Sequence, residues 1–345
     1  MWKYVLKRVG LAFVTMFIIL SLTFILMKLL PFQKPLGNDR TQFSYYMNQV
    51  SLGYVMDSRR PIKALGDALF EYTDGSQKKH YFYVMPVMQQ YGAWLKGIFT
   101  QWNWGTSVYI KPNVSAIAII GERLPISMSF NILSVIFSVP LGILLGVIAA
   151  LKKNKPTDHI ISTGVMIFIS IPGFVMITLL IYVLGYVLNW LPPQYPSPTA
   201  PVSQKILGYF IPVISLSFGS ICGYARFTRA ELCEVMSSEY LLLARTKGLT
   251  KRQAILRHAL RNAMVPIIPS ILAEFIGIMS GSMILENLYG IPGIGDLFVS
   301  AMSQKDYNVL FVDMAIFTTI SLLAGVVLDI SYGFIDPRIR MGAKK

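Results

Sequence analysis

The chain has 345 residues, 54% of them hydrophobic and only 14% charged, and its formal net charge is +14. A soluble domain carries about 25% charged residues, so this composition describes a chain dissolved in lipid and excludes the nucleic-acid reading its basicity would otherwise suggest. Lys and Arg beside apolar spans report instead the cytoplasmic side of a membrane.

A helix needs about 20 apolar residues to cross a hydrocarbon core about 30 Å thick. The first such run is 9–30, preceded by Lys3, Lys7 and Arg8. That basic start is like a signal peptide's, but the run is too long for a signal core and no small-x-small cleavage site follows. It is expected to be an uncleaved first span. Residues 31–120 are polar, mixed in charge and rich in Tyr, Gln and Trp, which suits a small folded cap or ordered excursion better than disorder.

Further spans are expected at 124–151, 159–188, 206–225, 265–285 and 309–334, which makes six. They hold Pro140, Pro172, Pro212, Pro269 and Gly325, which neighbouring helices of a membrane bundle tolerate. Gly142-x-x-x-Gly146 and Gly277-x-x-x-Gly281 have the spacing that lets helices approach closely. The Pro-rich 192–201 segment reads as a stiff external turn.

Orientation follows from the connections. Lys152, Lys153 and Lys155 follow the second span, Arg245, Lys247, Lys251, Arg252, Arg257 and Arg261 lie between the fourth and fifth, and Arg338, Arg340, Lys344 and Lys345 close the chain. Both termini are therefore expected inside and 31–120 outside. The organisation is 1–30 as N-terminus and first span, 31–120 as extracytoplasmic segment, 121–335 as a five-helix core with a cytoplasmic loop at 231–264, and 336–345 as tail.

Catalytic signatures are missing. No G-x-x-x-x-G-K-[ST] occurs, so the chain has no phosphate-cradling loop, and "GIPGIG" at 290–295 reads as a turn. There is no helical His/Glu metal pair and no G-x-S-x-G elbow. Cys222 and Cys233 read as free buried thiols, and His80, His159 and His258 are scattered. No catalytic residue, metal or cofactor of its own is expected. Of the charges at membrane depth, Asp313 and Asp329 are expected at the interfaces, within reach of water. Glu274, near the middle of the fifth span, is either a pathway-facing polar group or a neutral acid bonding two helices.

The stretch "EYLLLARTKGLTKRQAILRHALRNAMVP" at 239–266 is both basic and helical. Glu239 opens a run of helix formers and Lys247 closes it, signs that suit the helix dipole, and Gly248 supplies a left-handed stop. Thr250 caps a second helix, with Gln253 completing a capping box. In that helix Ile255, Leu256, Ala259, Leu260 and Ala263 share one face, the basic residues lie largely away from it, and Pro266 marks the next span. The pattern is two short helices bent at a glycine. A lipid-surface helix and a docking element for a cytoplasmic partner both fit it; a voltage sensor, which wants Arg every third residue within a span, does not.

This stretch resembles the cytoplasmic loop of permease subunits of ABC importers, in particular the oligopeptide/dipeptide/nickel class and its B-type subunit. "WGTSVYIKPNVSAIAIIGERLPISMSF", "VPLGILLGVIAAL", "SIPGF" and the closing "DPRIR" are also similar, and together the likeness covers most of 1–30 and 102–340. It implies an all-α polytopic fold of six transmembrane helices, the type I ABC importer permease fold, with a large external loop after the first helix. It implies a bacterial inner-membrane subunit that moves oligopeptides inward. A second homologous permease, two cytoplasmic ATPases carrying ATP and Mg, and an extracytoplasmic binding protein would complete the complex. By the same likeness, Glu239, Tyr240, Leu243, Ala244, Arg245, Lys247 and Gly248 form a coupling helix that docks on an ATPase. Leu242 and Leu243 stand where the family's E-A-A-x-x-x-G pattern has Glu and Ala, and Glu274 stands where the family leads one to expect an uncharged polar residue.

Overall fold

The structure is a computed structural model. It describes residues 2–32, 34–277 and 281–335, without the side chains of residues 2–4, Tyr240, Ala244, Arg245, Lys251, Arg252, Leu256 and 332–335; the expected tail, with Arg338 and Arg340, lies outside the described residues. The chain divides into two compact units. One comprises residues 1–9, 124–296 and 320–345, the other 10–123 and 297–319.

Five helices are long and apolar enough to cross a membrane: Val5–Lys28, Ala116–Leu151, Val202–Met236, Arg257–Gly277 and Tyr307–Ser331. The expected third span is not straight. It is α5 (Pro156–Ile169) followed by α6 (Gly173–Leu180), which continues as a π-helical turn to Val187, and the two halves meet at 97°. Pro172 caps α6, and proline disfavours helical backbone in the residue before it, so the helix stops at Ile169. Counting the bent pair as one span restores six.

In the first unit, α4 (Ala116–Leu151) and α8 (Phe210–Met236) share a seam of small residues. A Cβ on Gly142 would lie 2.7 Å from the Tyr224 Cβ, and one on Gly146 would lie 2.6 Å from the Ala225 carbonyl oxygen. Ser217 Oγ on α8 lies 3.1 Å from Ser134 Oγ on α4. The second glycine pair does not pack helices: a Cβ on Gly277 would meet nothing, and Gly281 has a positive φ of 64° outside the helix. Nor does Pro266 mark a span's start, since it lies with Pro269 inside α11 (Leu260–Gly277).

The expected turn at 290–295 joins α12 (Met283–Tyr289) to α13 (Ile294–Ser303), with Gly290 as a left-handed stop. Glu286, 3% exposed, organises it: one carboxylate oxygen accepts from the Gly295 and Asp296 amides at 2.8 and 3.1 Å, the other from Ser282. Burial pushes this carboxyl above its ordinary range, and the surrounding donors, Ser127 first, pull it part of the way back. The Pro-rich loop docks on α12 through Tyr289, whose hydroxyl donates to the Pro192 carbonyl at 2.8 Å and whose carbonyl accepts from the Tyr195 amide.

In the second unit, the segment after the first span is folded, and it is not wholly helical. Between α2 (Asp39–Ser51) and α3 (Val87–Gln101) lies an antiparallel sheet in the order β1 (Val55–Ser58), β3 (Lys79–Val84), β2 (Phe70–Thr73). Its buried face stacks Phe82 on Tyr46 and Phe70, with Phe43 meeting it edge-on. Asp306, fully buried, accepts from Ser107 Oγ at 2.6 Å and from the amides of Val108, Tyr109 and Ile110 through one carboxylate oxygen.

Gly146→Leu tests the seam, because the clash is with backbone and overpacking costs about 1–3 kcal/mol or more. Thermal unfolding of the purified chain in detergent is expected to shift downward, and far more than for Gly164→Leu, where an added Cβ meets nothing.

Candidate functional site

The basic stretch forms three consecutive pieces. α9 (Glu239–Thr246) is a single short helix, Gly248 turns the chain with φ +94°, and α10 (Lys251–Ala254) passes through a π-helical turn, Ile255–Ala259, directly into α11. The capping box is present in both directions: the Thr250 amide donates to Gln253 Oε1 at 3.1 Å and the Gln253 amide to Thr250 Oγ1 at 3.3 Å. The second of the expected rods is therefore no separate helix but the beginning of the fifth span.

Helices of eight residues are marginal alone, so α9 needs an anchor. Leu241 supplies it. It is 5% exposed and packs in a cluster with Ala150 of α4, Leu232 of α8, and Ala254, Ile255, Ala259 and Ala263 beyond the elbow. Its neighbours point away: Leu242 and Leu243 are 63% and 57% exposed. Glu239, Lys247 and Gly248 are exposed as well, and the side chains of Tyr240, Ala244 and Arg245 lie outside those described. The result is a braced rod with an apolar outer pair. It offers a hydrophobic contact flanked by charge.

A second brace lies where α5 meets α8. Asp158, 1% exposed, takes a bidentate pair of hydrogen bonds from Arg229, Nε to Oδ1 at 2.6 Å and the guanidinium Nη2 to Oδ2 at 2.8 Å. The same carboxylate accepts from the Asn154 amide and Ser162 Oγ, which ties in the lysine-rich connection before α5. Arg229 lies on the helix that leads into α9, so the pair fixes the base of the rod.

Glu274 of α11 is half-buried and lies beside Tyr224 of α8. Glu274 and Tyr224 both line a shallow groove with Ser220, Gly223 and Phe227. Asp329 pairs with Arg8 at 3.1 Å and remains 30% exposed. Asp313 is different: it is fully buried, because its helix face turns inward where the apolar sequence gave no sign of direction. Cys222 and Cys233 are free thiols.

Comparison with known proteins gives the family. Residues 142–341 match the family of binding-protein-dependent transport system inner membrane components. The chain belongs to that family. It is a multi-pass membrane permease subunit of a transport system. The dipeptide transport system permease protein of Lactococcus lactis subsp. cremoris is 34% identical over 341 residues, 99% of this chain and all of that one. The oligopeptide transport system permease protein of Escherichia coli K12 is 31% identical over 340 residues, again 99% and 100% of the two chains. The dipeptide permease protein of Bacillus subtilis is 29% identical over 344 residues, the full length of both. Among solved structures, the inward-facing MetNI methionine ABC transporter is similar at TM-score 0.47 and 15% identity, over 62% of this chain and 96% of that one.

Sequence reasoning missed Asp158, Arg229, Glu286 and Asp306 in this permease subunit. Asp158 carried one signal: an acid in the first turn after Pro156, close to a run of lysines, is placed to cap its helix. Breaking the clamp by Asp158→Asn is expected to lower stability by about 1–2 kcal/mol, since the charge-assisted bonds are lost while Arg229, 32% exposed, keeps contact with its surroundings. Asp158→Asn with Arg229→Gln should cost less than the sum of the two single changes in a double-mutant cycle of thermal unfolding.

Proposed function

We propose that the chain is the B-type permease subunit of an ABC importer that carries oligopeptides inward, with α9 as the element that receives work from a separate ATPase. The observation that carries this reading is α9 itself: an eight-residue rod, anchored by buried Leu241, that turns Leu242 and Leu243 outward between a glycine elbow and the end of α8. An exposed apolar pair on a fixed helix is a contact waiting for a groove. Family membership and the peptide permeases among its relatives support the substrate class.

In this reading the termini and α9 lie in the cytoplasm, in the bacterial inner membrane, as the distribution of Lys and Arg argues. Two ATPase subunits hold ATP and Mg, a second homologous permease forms the other wall of the pathway, and a binding protein delivers peptide to the outer loops. This chain binds no cofactor. ATP draws the ATPases together, α9 follows, and the cluster around Leu241 passes the displacement to α4, α8 and α11. Such alternation needs two packings of nearly equal free energy that ATP biases. Glu239, Tyr240, Leu243, Ala244, Arg245, Lys247 and Gly248 make the docking set, to which the exposure of Leu242 adds a member. Glu274 lines the pathway, beside Tyr224.

Leu243→Asp and Gly248→Val separate this reading from a helix that merely lies on lipid. In Gly248→Val the added side chain meets no neighbour, but φ +94° is strained for valine, so the elbow itself is lost. In proteoliposomes holding the complete complex, each variant is expected to lower peptide-stimulated ATP hydrolysis about tenfold or more, with membrane insertion unchanged. Full stimulation in both variants would overturn the docking assignment.

A further inference from the structure

Two arginines lie one turn apart on α8, and only one of them has a counter-charge. Arg229 is neutralised by the bidentate Asp158. Arg226 is exposed, and among the described residues it makes no hydrogen bond or ion pair. Its side chain lines the groove between α8 and α11 that also holds Glu274. Glu274 likewise forms no ion pair among the described residues, with Arg226 or with any other base. A base and an acid therefore share one groove without cancelling each other.

Both residues belong to spans, Arg226 to Val202–Met236 and Glu274 to Arg257–Gly277. Charged side chains are costly against hydrocarbon, and those found within spans mark water-filled pathways and the ions or substrates that use them. The rest of the groove suits a peptide. Ser220 and Ser270 supply hydroxyls. A Cβ on Gly223 would meet nothing within 4 Å, and Ala230 on the same wall is small, so there is room for side chains of many shapes. The groove measures about 470 Å3, within the roughly 300–1,000 Å3 of small-molecule sites.

A cargo of one sign would satisfy one of these charges and be repelled by the other. A zwitterion satisfies both: the planar guanidinium fork matches a carboxylate, and a carboxylate matches an ammonium. We infer that Arg226 receives the C-terminal carboxylate of a short peptide in transit and Glu274 its N-terminal ammonium, so that the pathway reads the two free ends and not the side chains between them. The assignment rests on the chain being a subunit of a peptide importer, and it adds the residues that recognise the cargo.

The test is uptake into proteoliposomes holding the complete complex and its binding protein, with trialanine, trialanine amide and N-acetyl-trialanine as cargo. Each variant is compared with wild type on the same peptide, which cancels the preference of the binding protein. Arg226→Gln is expected to lower uptake of trialanine and of N-acetyl-trialanine about tenfold and to leave the amide, which has no carboxylate, at the wild-type rate. Glu274→Gln should lower trialanine and its amide about tenfold and leave N-acetyl-trialanine, which has no ammonium, at the wild-type rate; it carries the test if Arg226→Gln does not assemble. Equal losses on all three peptides, as a structural role or an ion pair with the second permease would give, would overturn the proposal, and so would undiminished trialanine uptake by either variant. Absence of trialanine uptake by the wild-type complex would overturn the importer reading itself, and the proposal with it.

Discussion

One buried side chain makes the architecture around α9 possible. Leu241 sits in a cluster drawn from α4, α8, the π-helical turn and α11, and it holds an eight-residue helix that has too few hydrogen bonds to persist alone. Burying a leucine is worth about 1.5–3 kcal/mol, comparable to what a single turn of helix lacks. Because that leucine points inward, its two successors point outward. The alternation of one buried and two exposed leucines is how this chain makes a surface rigid and apolar at once.

Rigidity then continues along the bundle by different means. The elbow at Gly248 sets a direction that only a left-handed residue allows, and the reciprocal Thr250–Gln253 bonds fix where the following helix begins. The bidentate Asp158–Arg229 pair fastens the base of α8 to α5, and the Gly142–Gly146 seam brings α4 and α8 within backbone contact. A buried ion pair is weak evidence for stability, since desolvation offsets most of its Coulomb gain. Its value here is geometric: it accepts one arrangement of two helices and penalises others. Contacts packed this way favour discrete arrangements over continuous deformation.

Much of this was legible in the sequence, and the exceptions have causes. Span positions follow from apolar length alone, and five of the six expected runs overlap a single helix long and apolar enough to cross, though the run 265–285 overshoots its helix, which ends at Gly277. The third hides its 97° bend because both halves are uniformly apolar, leaving Pro172 as the sole sign among prolines that α11 carries unbroken. Thr250, Gln253 and Gly248 were readable because caps and stops are local. Asp158 and Arg229 were not, because their pairing spans 71 positions and each alone looks like an interfacial charge. The same holds for Asp306, whose partners at 107–110 lie nearly 200 positions away. The sheet after the first span was hidden by its short strands, four to six residues each, in an aromatic-rich segment with no clean alternation. Asp313 shows the limit for helices: hydropathy says that a residue lies in a span and nothing about which side it faces.

The account stands on what α9 touches. Leu242→Cys, carrying a short photoreactive crosslinker in native membranes of the full complex, gives the most direct measurement, because Leu242 is the most exposed leucine of the helix. The account predicts a single major adduct with the ATPase subunit, gained or lost as ATP is added. Adducts with phospholipid alone, in every nucleotide state, would contradict it.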